Sequence, residues 1–149
     1  MSRRFKGTVA TAGALALCLS LFAAGVSGKS KIRRVGTSVQ IEESDKTGNR
    51  NITVNGVIQS SVARCERSRS VLLYQDGPGG TFVGGALGHA VTLGGTARGE
   101  FTIAGIAPKK IKNSRRFRVE AVGAKVRIKG KSVICKRGVS VQFPANFGN

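Results

Sequence analysis

Cys18, Cys65 and Cys135 are the three thiols of this 149-residue chain, and the chemistry open to them depends on which survive processing. Arg3, Arg4 and Lys6 precede an uncharged, apolar stretch from Val9 to Val26, and Val26-Ser27-Gly28 supplies small residues ahead of Lys29. Basic, apolar, then small is the order of a secretory signal peptide, read here as residues 1–28. Cleavage would discard Cys18 and leave Cys65 and Cys135 as an even pair in an oxidising compartment, which predicts a disulfide. In the chain-entropy model a closed loop of about 70 residues is worth on the order of 4 kcal/mol. Two other readings of the N-terminus stay open. The uncharged run is nearly long enough to be retained as a membrane anchor, although Thr8, Thr11, Gly13, Ser20 and Gly25 dilute it. Lipid attachment at Cys18 is less favoured, because Leu17 stands where a small residue is expected.

Other reactive side chains are few. His89 is the single histidine, within Gly88-His89-Ala90. A Ser–His–Asp set using Asp76 can be drawn, but no G-x-S-x-G presents a nucleophile, and an exposed loop histidine is the plainer reading. Glu42, Glu43 and Asp45 are the close carboxylates. Adjacent strand residues point to opposite faces, so Glu42 and Glu43 are poorly placed to act together and read as a solvated turn. One histidine and two distant cysteines match no zinc spacing. Glu42, Glu43, Asp45 and Asn49, diluted by Lys46 and Arg50, make a poor calcium set. Gly77-Pro78-Gly79-Gly80 and Gly84-Gly85 lack the spacing of a phosphate cradle and read as turns. No metal, no cofactor and no enzymatic activity are therefore expected.

Charge is the remaining signal. Losing residues 1–28 removes three of the 25 basic residues and no acid, leaving 22 against 7. The basic residues group at Lys29, Lys31, Arg33 and Arg34; at Arg64, Arg67 and Arg69; and at Lys109, Lys110, Lys112, Arg115, Arg116 and Arg118. A last group is Lys125, Arg127, Lys129, Lys131, Lys136 and Arg137. Were the strands of the last two groups neighbours, their outer faces would form one cationic surface that attracts polyanions with strong salt dependence. Arg115, Arg116, Arg118, Lys125, Arg127, Lys129 and Lys131 are the candidate polyanion-binding residues. Specific nucleic-acid binding is not expected: the chain has no tryptophan and Tyr74 is its sole tyrosine, so platforms for base stacking are missing. An anionic cell-wall polymer or acidic polysaccharide suits a secreted protein better.

The elements that must position these groups are strands. Val35, Thr37, Val39 and Ile41 share one face of a first strand; Ile52 and Val54 alternate with polar residues; Phe101 and Ile103 flank Thr102. Phe117, Val119 and Ala121 alternate with Arg118 and Glu120, Val126 and Ile128 with Arg127 and Lys129, and Val139, Val141 and Phe143 with Ser140 and Gln142. Val71-Leu72-Leu73-Tyr74 reads as a strand buried on both sides. Glycine-rich turns punctuate the runs, and helical periodicity is absent after residue 28. The pattern predicts an all-β, antiparallel sandwich of about seven strands. Residues 29–34 read as a basic linker and 35–149 as the domain, with a glycine-rich insertion at 77–98.

Gly56-Val57-Ile58-Gln59-Ser60, Cys65, Arg69-Ser70-Val71-Leu72-Leu73-Tyr74, Gly99-Glu100-Phe101 and the strand before Cys135 together resemble small secreted domains of actinobacteria. Those domains resemble the carboxypeptidase-regulatory, transthyretin-like or Ig-like sandwich. The resemblance implies an accessory or adhesive module rather than an activity, and the 77–98 insertion departs from it. The expected protein is a non-enzymatic, secreted or envelope-associated β-domain that binds anionic polymers through a basic face, with no transmembrane span once the signal is removed. Two alternatives remain: an assembly module using a sheet edge, and, less favoured, an enzyme or inhibitor centred on the insertion and His89. Oligomeric state is open.

Overall fold

The computed structural model describes residues 32–77 and 81–148; the expected signal peptide, Cys18, Lys29 and Lys31 lie outside them. The alternating segments form strands β1 (Arg33–Val35), β2 (Ser38–Thr47), β3 (Asn51–Gln59), β4 (Ser70–Gln75), β5 (Gly88–Val91) and β6 (Glu100–Ile106). They continue with β7 (Arg116–Ala121), β8 (Ala124–Ile128), β9 (Lys131–Cys135), β10 (Gly138–Val139) and β11 (Phe143–Pro144). Short 3-10 turns occur at Ala63–Cys65 and Gly95–Ala97.

One sheet has the order β2-β3-β6, another β10-β7-β4-β5 with β11 also on β7. Their inner faces share one core: Ile52, Val54, Ile58, Phe101 and Ile103 belong to the same cluster as Val71, Leu73, Phe117, Val119 and Phe143. The result is sandwich-like, held by burial of these side chains at roughly 1.5–3 kcal/mol each. Both seams between the sheets are laced. At one, β5 lies beside β6, where Leu93 N donates to Glu100 O at 2.8 Å and Ile106 N to Leu87 O at 3.1 Å. Gly88 permits that approach, since a Cβ there would collide with the Ala104 carbonyl oxygen. At the other seam Ser44 and Phe147 exchange backbone hydrogen bonds of 2.9 and 3.0 Å, so the C-terminal segment covers the edge of β2. Edge-to-edge assembly is blocked along that stretch of β2.

A third sheet has the order β1-β9-β8. Its register explains its origin. Ala121 pairs with Gly138 and Ala124 with Cys135, an equal advance on both limbs. Strands β7–β8 and β9–β10 are therefore the two limbs of one long hairpin. Its proximal half belongs to the sandwich, and its distal half leaves that sheet and takes β1, in parallel, along β9. Lys129 (φ 47°) and Gly130 (φ 77°) form its tip, both left-handed as a two-residue hairpin turn of type I′ requires.

Arg69 occupies the place where the ladder is interrupted. Its guanidinium donates to the carbonyls of Val122 (2.5 and 3.0 Å), Lys136 (3.2 Å) and Cys65 (2.7 Å). The residue is 1% exposed, and desolvation pushes its pKa below the ordinary arginine value. Beside it the predicted disulfide is present, joining Cys65 to Cys135 with their Cα atoms 5.5 Å apart. Val35 and Val133 pack with it in a second small core, against which Val62, Val126 and Ile128 lie.

Several expectations need correction. The first strand is split at Gly36-Thr37, so Val35 joins β9 while Val39 and Ile41 join β3. Arg33 and Arg34 are strand, not linker. Glu42 and Glu43 are not in a turn: a bulge between Ile41 and Glu43 resets the alternation, and β2 runs on to Thr47. The reset turns Ser44 inward, where its hydroxyl donates to Pro144 O at 2.9 Å. Val139 and Val141 do not join Phe143 inside; they are 39% and 80% exposed. Ser140 takes the inner position, its hydroxyl accepting from Val119 N at 3.0 Å. Along β4 only Val71 and Leu73 are fully buried, with Leu72 and Tyr74 half-buried. The 77–98 segment supplies β5 and places the ring of Phe82 on Tyr74, centroids 4.3 Å apart.

Candidate functional site

The seven candidate cations do not share one face. Arg116 opens β7, Lys125 and Arg127 lie on β8 beyond its far end, and the two strands belong to different sheets. The condition for a single cationic surface fails, and two surfaces take its place.

The first surrounds the base of the long hairpin. Ile111 is 2% exposed and anchors the 107–116 loop to the core, leaving Lys109, Lys110, Lys112, Arg115 and Arg116 exposed around it. The loop is fastened to the β2–β3 turn: Ala107 N donates to Arg50 O and Ile111 N to Asn49 O, both at 2.8 Å. Arg50 Nε returns a bond to Ala107 O at 2.7 Å, and Lys46 Nζ reaches Asn113 Oδ1 at 3.4 Å. Arg50 and Lys46 thus join this group, which the sequence alone did not reveal. Nothing local marks Asn49-Arg50 as a neighbour of residue 111; the β3–β6 register does that.

The second surface is the hairpin tip and the outer face of its sheet. Cross-strand register sets Arg34, Ile134 and Lys125 in one row, with Arg127 opposite Ser132 two rows on. Residues directly opposite share a face, so Arg34, Lys125 and Arg127 stand together on the side away from Val35, Val133 and Cys135. Lys129 and Lys131 follow at the tip. Lys125 also borders a cleft of about 340 Å³ whose other lining side chains include Arg64 and Arg67. No acidic residue follows Glu120 in the chain. Glu66, next to Cys65, is buried and bound to Arg98 at 2.5 Å.

Between the two surfaces Arg118 and Arg137 are paired with acids, while Lys136 is exposed. Arg118, one of the seven candidates, gives its Nε to buried Asp76 at 2.5 Å and lies 4.8 Å over the Phe82 ring. Arg137 grips Glu120 through Nε (2.6 Å) and Nη2 (2.7 Å), and this bonding raises its pKa. Neither is presented as a bare cation. Arg69, grouped by sequence with Arg64 and Arg67, is the buried residue described above.

The acids gather elsewhere. Glu42, Glu43 and Glu100 line a cleft of about 320 Å³ on the outer face of β2-β3-β6, where Asn55 donates to Glu43 at 3.3 Å and Thr102 to Asn55 at 2.9 Å. Among the described residues no group of three or more His, Cys, Asp or Glu could hold a metal ion. His89 does meet a serine, its Nε2 lying 2.8 Å from Ser70 Oγ on an exposed face. The Asp76 of the conceivable triad is elsewhere, because Leu72 is the β4 residue opposite His89 and Asp76 lies four positions further along. Among the described residues no helix is long and apolar enough to cross a membrane.

No protein-family model matches the chain, and no curated protein matches it either.

Proposed function

We propose that this protein is a non-enzymatic, envelope-associated β-domain of the transthyretin-like, carboxypeptidase-regulatory kind that binds anionic polymers of the cell wall or acidic polysaccharide. The observation that carries the reading is the segregation of charge. Exposed Arg34, Lys125, Arg127, Lys129 and Lys131 stand on strands and a hairpin turn without one acidic residue, and Lys109, Lys110, Lys112, Arg115 and Arg116 surround a pinned loop. The internal ion pairs occupy cations outside these two groups, Arg98, Arg118 and Arg137. A disulfide tying the root of the distal sheet to the 3-10 turn at Ala63–Cys65 suits an oxidising, extracytoplasmic setting. Like charges held this close oppose folding unless an anionic partner offsets them.

Co-sedimentation with purified envelope across a salt series tests the reading. Binding that falls steeply between roughly 50 and 200 mM salt is the expected result, as counterion release requires. Retention that ignores salt, or no retention at the lowest salt, would overturn it.

A further inference from the structure

The two cationic surfaces lie at opposite ends of one secondary-structure element. From Arg116 to Lys129 the hairpin limb advances thirteen residues, a contour of roughly 40 Å at about 3.3 Å per strand residue. Screening is effective beyond about 8 Å at physiological ionic strength, so the two ends do not share one counterion atmosphere. The stretch between them carries the Arg118–Asp76 and Arg137–Glu120 pairs, and exposed Lys136 beside them is too isolated to make a continuous cationic track.

From this we infer that the protein is bivalent: each end takes a separate anionic chain, and the molecule cross-links them. The inference rests on the polyanion reading above and goes beyond it, since a single-sided binder would coat a polymer without joining two. The tip places a lysine on a demanding backbone. A two-residue turn of type I′ favours Asn-Gly or Asp-Gly, because both positions need positive φ. Here Lys129 holds φ 47°, a conformation disfavoured for a lysine, and the next residue after the glycine is Lys131. Side-chain charge thus stands at the farthest point of the hairpin, on a backbone that asparagine would adopt more readily. At the other end the lysines are displayed by a loop whose Ile111 is sunk in the core, so these cations are held outward rather than trailing. Anchored cations at both extremities, with paired charge in the middle, is the arrangement a cross-link between two polyanions requires.

The test uses the exported chain and two populations of beads, labelled with different dyes and both coated with dextran sulfate. Depletion from solution measures binding; the fraction of two-colour particles in flow cytometry measures bridging. Wild type should bridge over a window of protein concentration and lose bridging in excess, when every chain is capped by its own protein. A base variant (K109Q, K110Q, K112Q and R115Q) and a tip variant (R127Q, K129N and K131Q) change exposed residues only. Each should still deplete onto beads, with bridging down roughly tenfold or more at the same bound amount. Bridging by both variants equal to wild type would overturn bivalency within one chain and assign joining to self-association. Binding without bridging by wild type would overturn bivalency while leaving the polyanion reading intact. Absence of binding by wild type would overturn both.

Discussion

The guanidinium of Arg69 donates to the carbonyl of Val122 through both Nε (3.0 Å) and Nη2 (2.5 Å), at the point where the long hairpin leaves the sandwich. Val122 and Lys136 are the residues whose ladder is interrupted there, and Arg69 serves both. A cation buried without a carboxylate is tolerated because several carbonyl dipoles surround it; those same carbonyls would be unpaired without it.

Arg69→Lys should therefore be costly although it keeps the charge. An ammonium cannot span the carbonyls of Cys65, Val122 and Lys136 in the way a planar fork does. A loss of about 2–4 kcal/mol is expected in urea unfolding. A midpoint indistinguishable from wild type would mean that the carbonyls find other partners.

Replacing Cys65 and Cys135 together by serine should lower stability by roughly 2–5 kcal/mol. Protease sensitivity should rise first within 124–135, because β8 and β9 lie outside the sandwich core and share their own small one with the disulfide. Intact-mass analysis of the native protein after alkylation should find neither of these thiols free. Labelling of either would refute the bond.

Lys129→Asn should stabilise the fold by about 0.5–1 kcal/mol, since asparagine accepts positive φ more readily than lysine. It should also weaken retention on anionic polymer, opposing two readouts in one substitution. If the melting temperature falls, Lys129 makes a stabilising contribution that the turn geometry does not account for.

Gly88→Ala tests the seam between the sheets. Its Cβ would strike the Ala104 carbonyl oxygen and the Ile103 side chain, so β5 must retreat from β6. Overpacking of this kind costs typically about 1–3 kcal/mol. Amide exchange should quicken at Ile106 and Leu93, which donate across the seam; unchanged protection at both would show that the seam does not depend on this approach.

His89→Ala should leave thermal stability within about 0.5 kcal/mol, as an exposed substitution commonly does. Binding to anionic polymer should not change either, because His89 shares a row with Leu72 and Glu120, between the two cationic ends and in neither group. A marked loss of binding would move the interface to that face.

Strand identity was readable from the sequence wherever alternation was unbroken, as in Phe117-Arg118-Val119-Glu120-Ala121, whose burial follows the expected period. The disulfide was readable because setting Cys18 aside with the expected signal peptide leaves Cys65 and Cys135 as one pairing. What failed was anything decided by a single inserted residue or a distant partner. The bulge at Ile41/Glu43 shifts every later side chain of β2 by one face. Ser140 is inward only because Val119 N needs an acceptor there. The role of Arg69 was hidden in a run of surface-type residues, since composition does not distinguish an arginine that faces water from one that faces carbonyls. The division of the cations into two ends depends on β7 and β8 belonging to different sheets, which a two-residue interruption at Val122-Gly123 does not announce.

The bond between Cys65 and Cys135 has a mechanical meaning as well. Tension applied at Lys129 runs along the backbones of β8 and β9 to their roots, where it would otherwise load the β7–β4 ladder and the Arg69 hydrogen bonds, each of which yields at about 1 kcal/mol. The covalent link, made beyond the interruption on the tip side, diverts that pull into the 3-10 turn at Ala63–Cys65 and from there to the strands on either side of it, β3 and β4. A force on the arm is thus borne by the sandwich as a whole, and the hairpin cannot be peeled from its root one rung at a time.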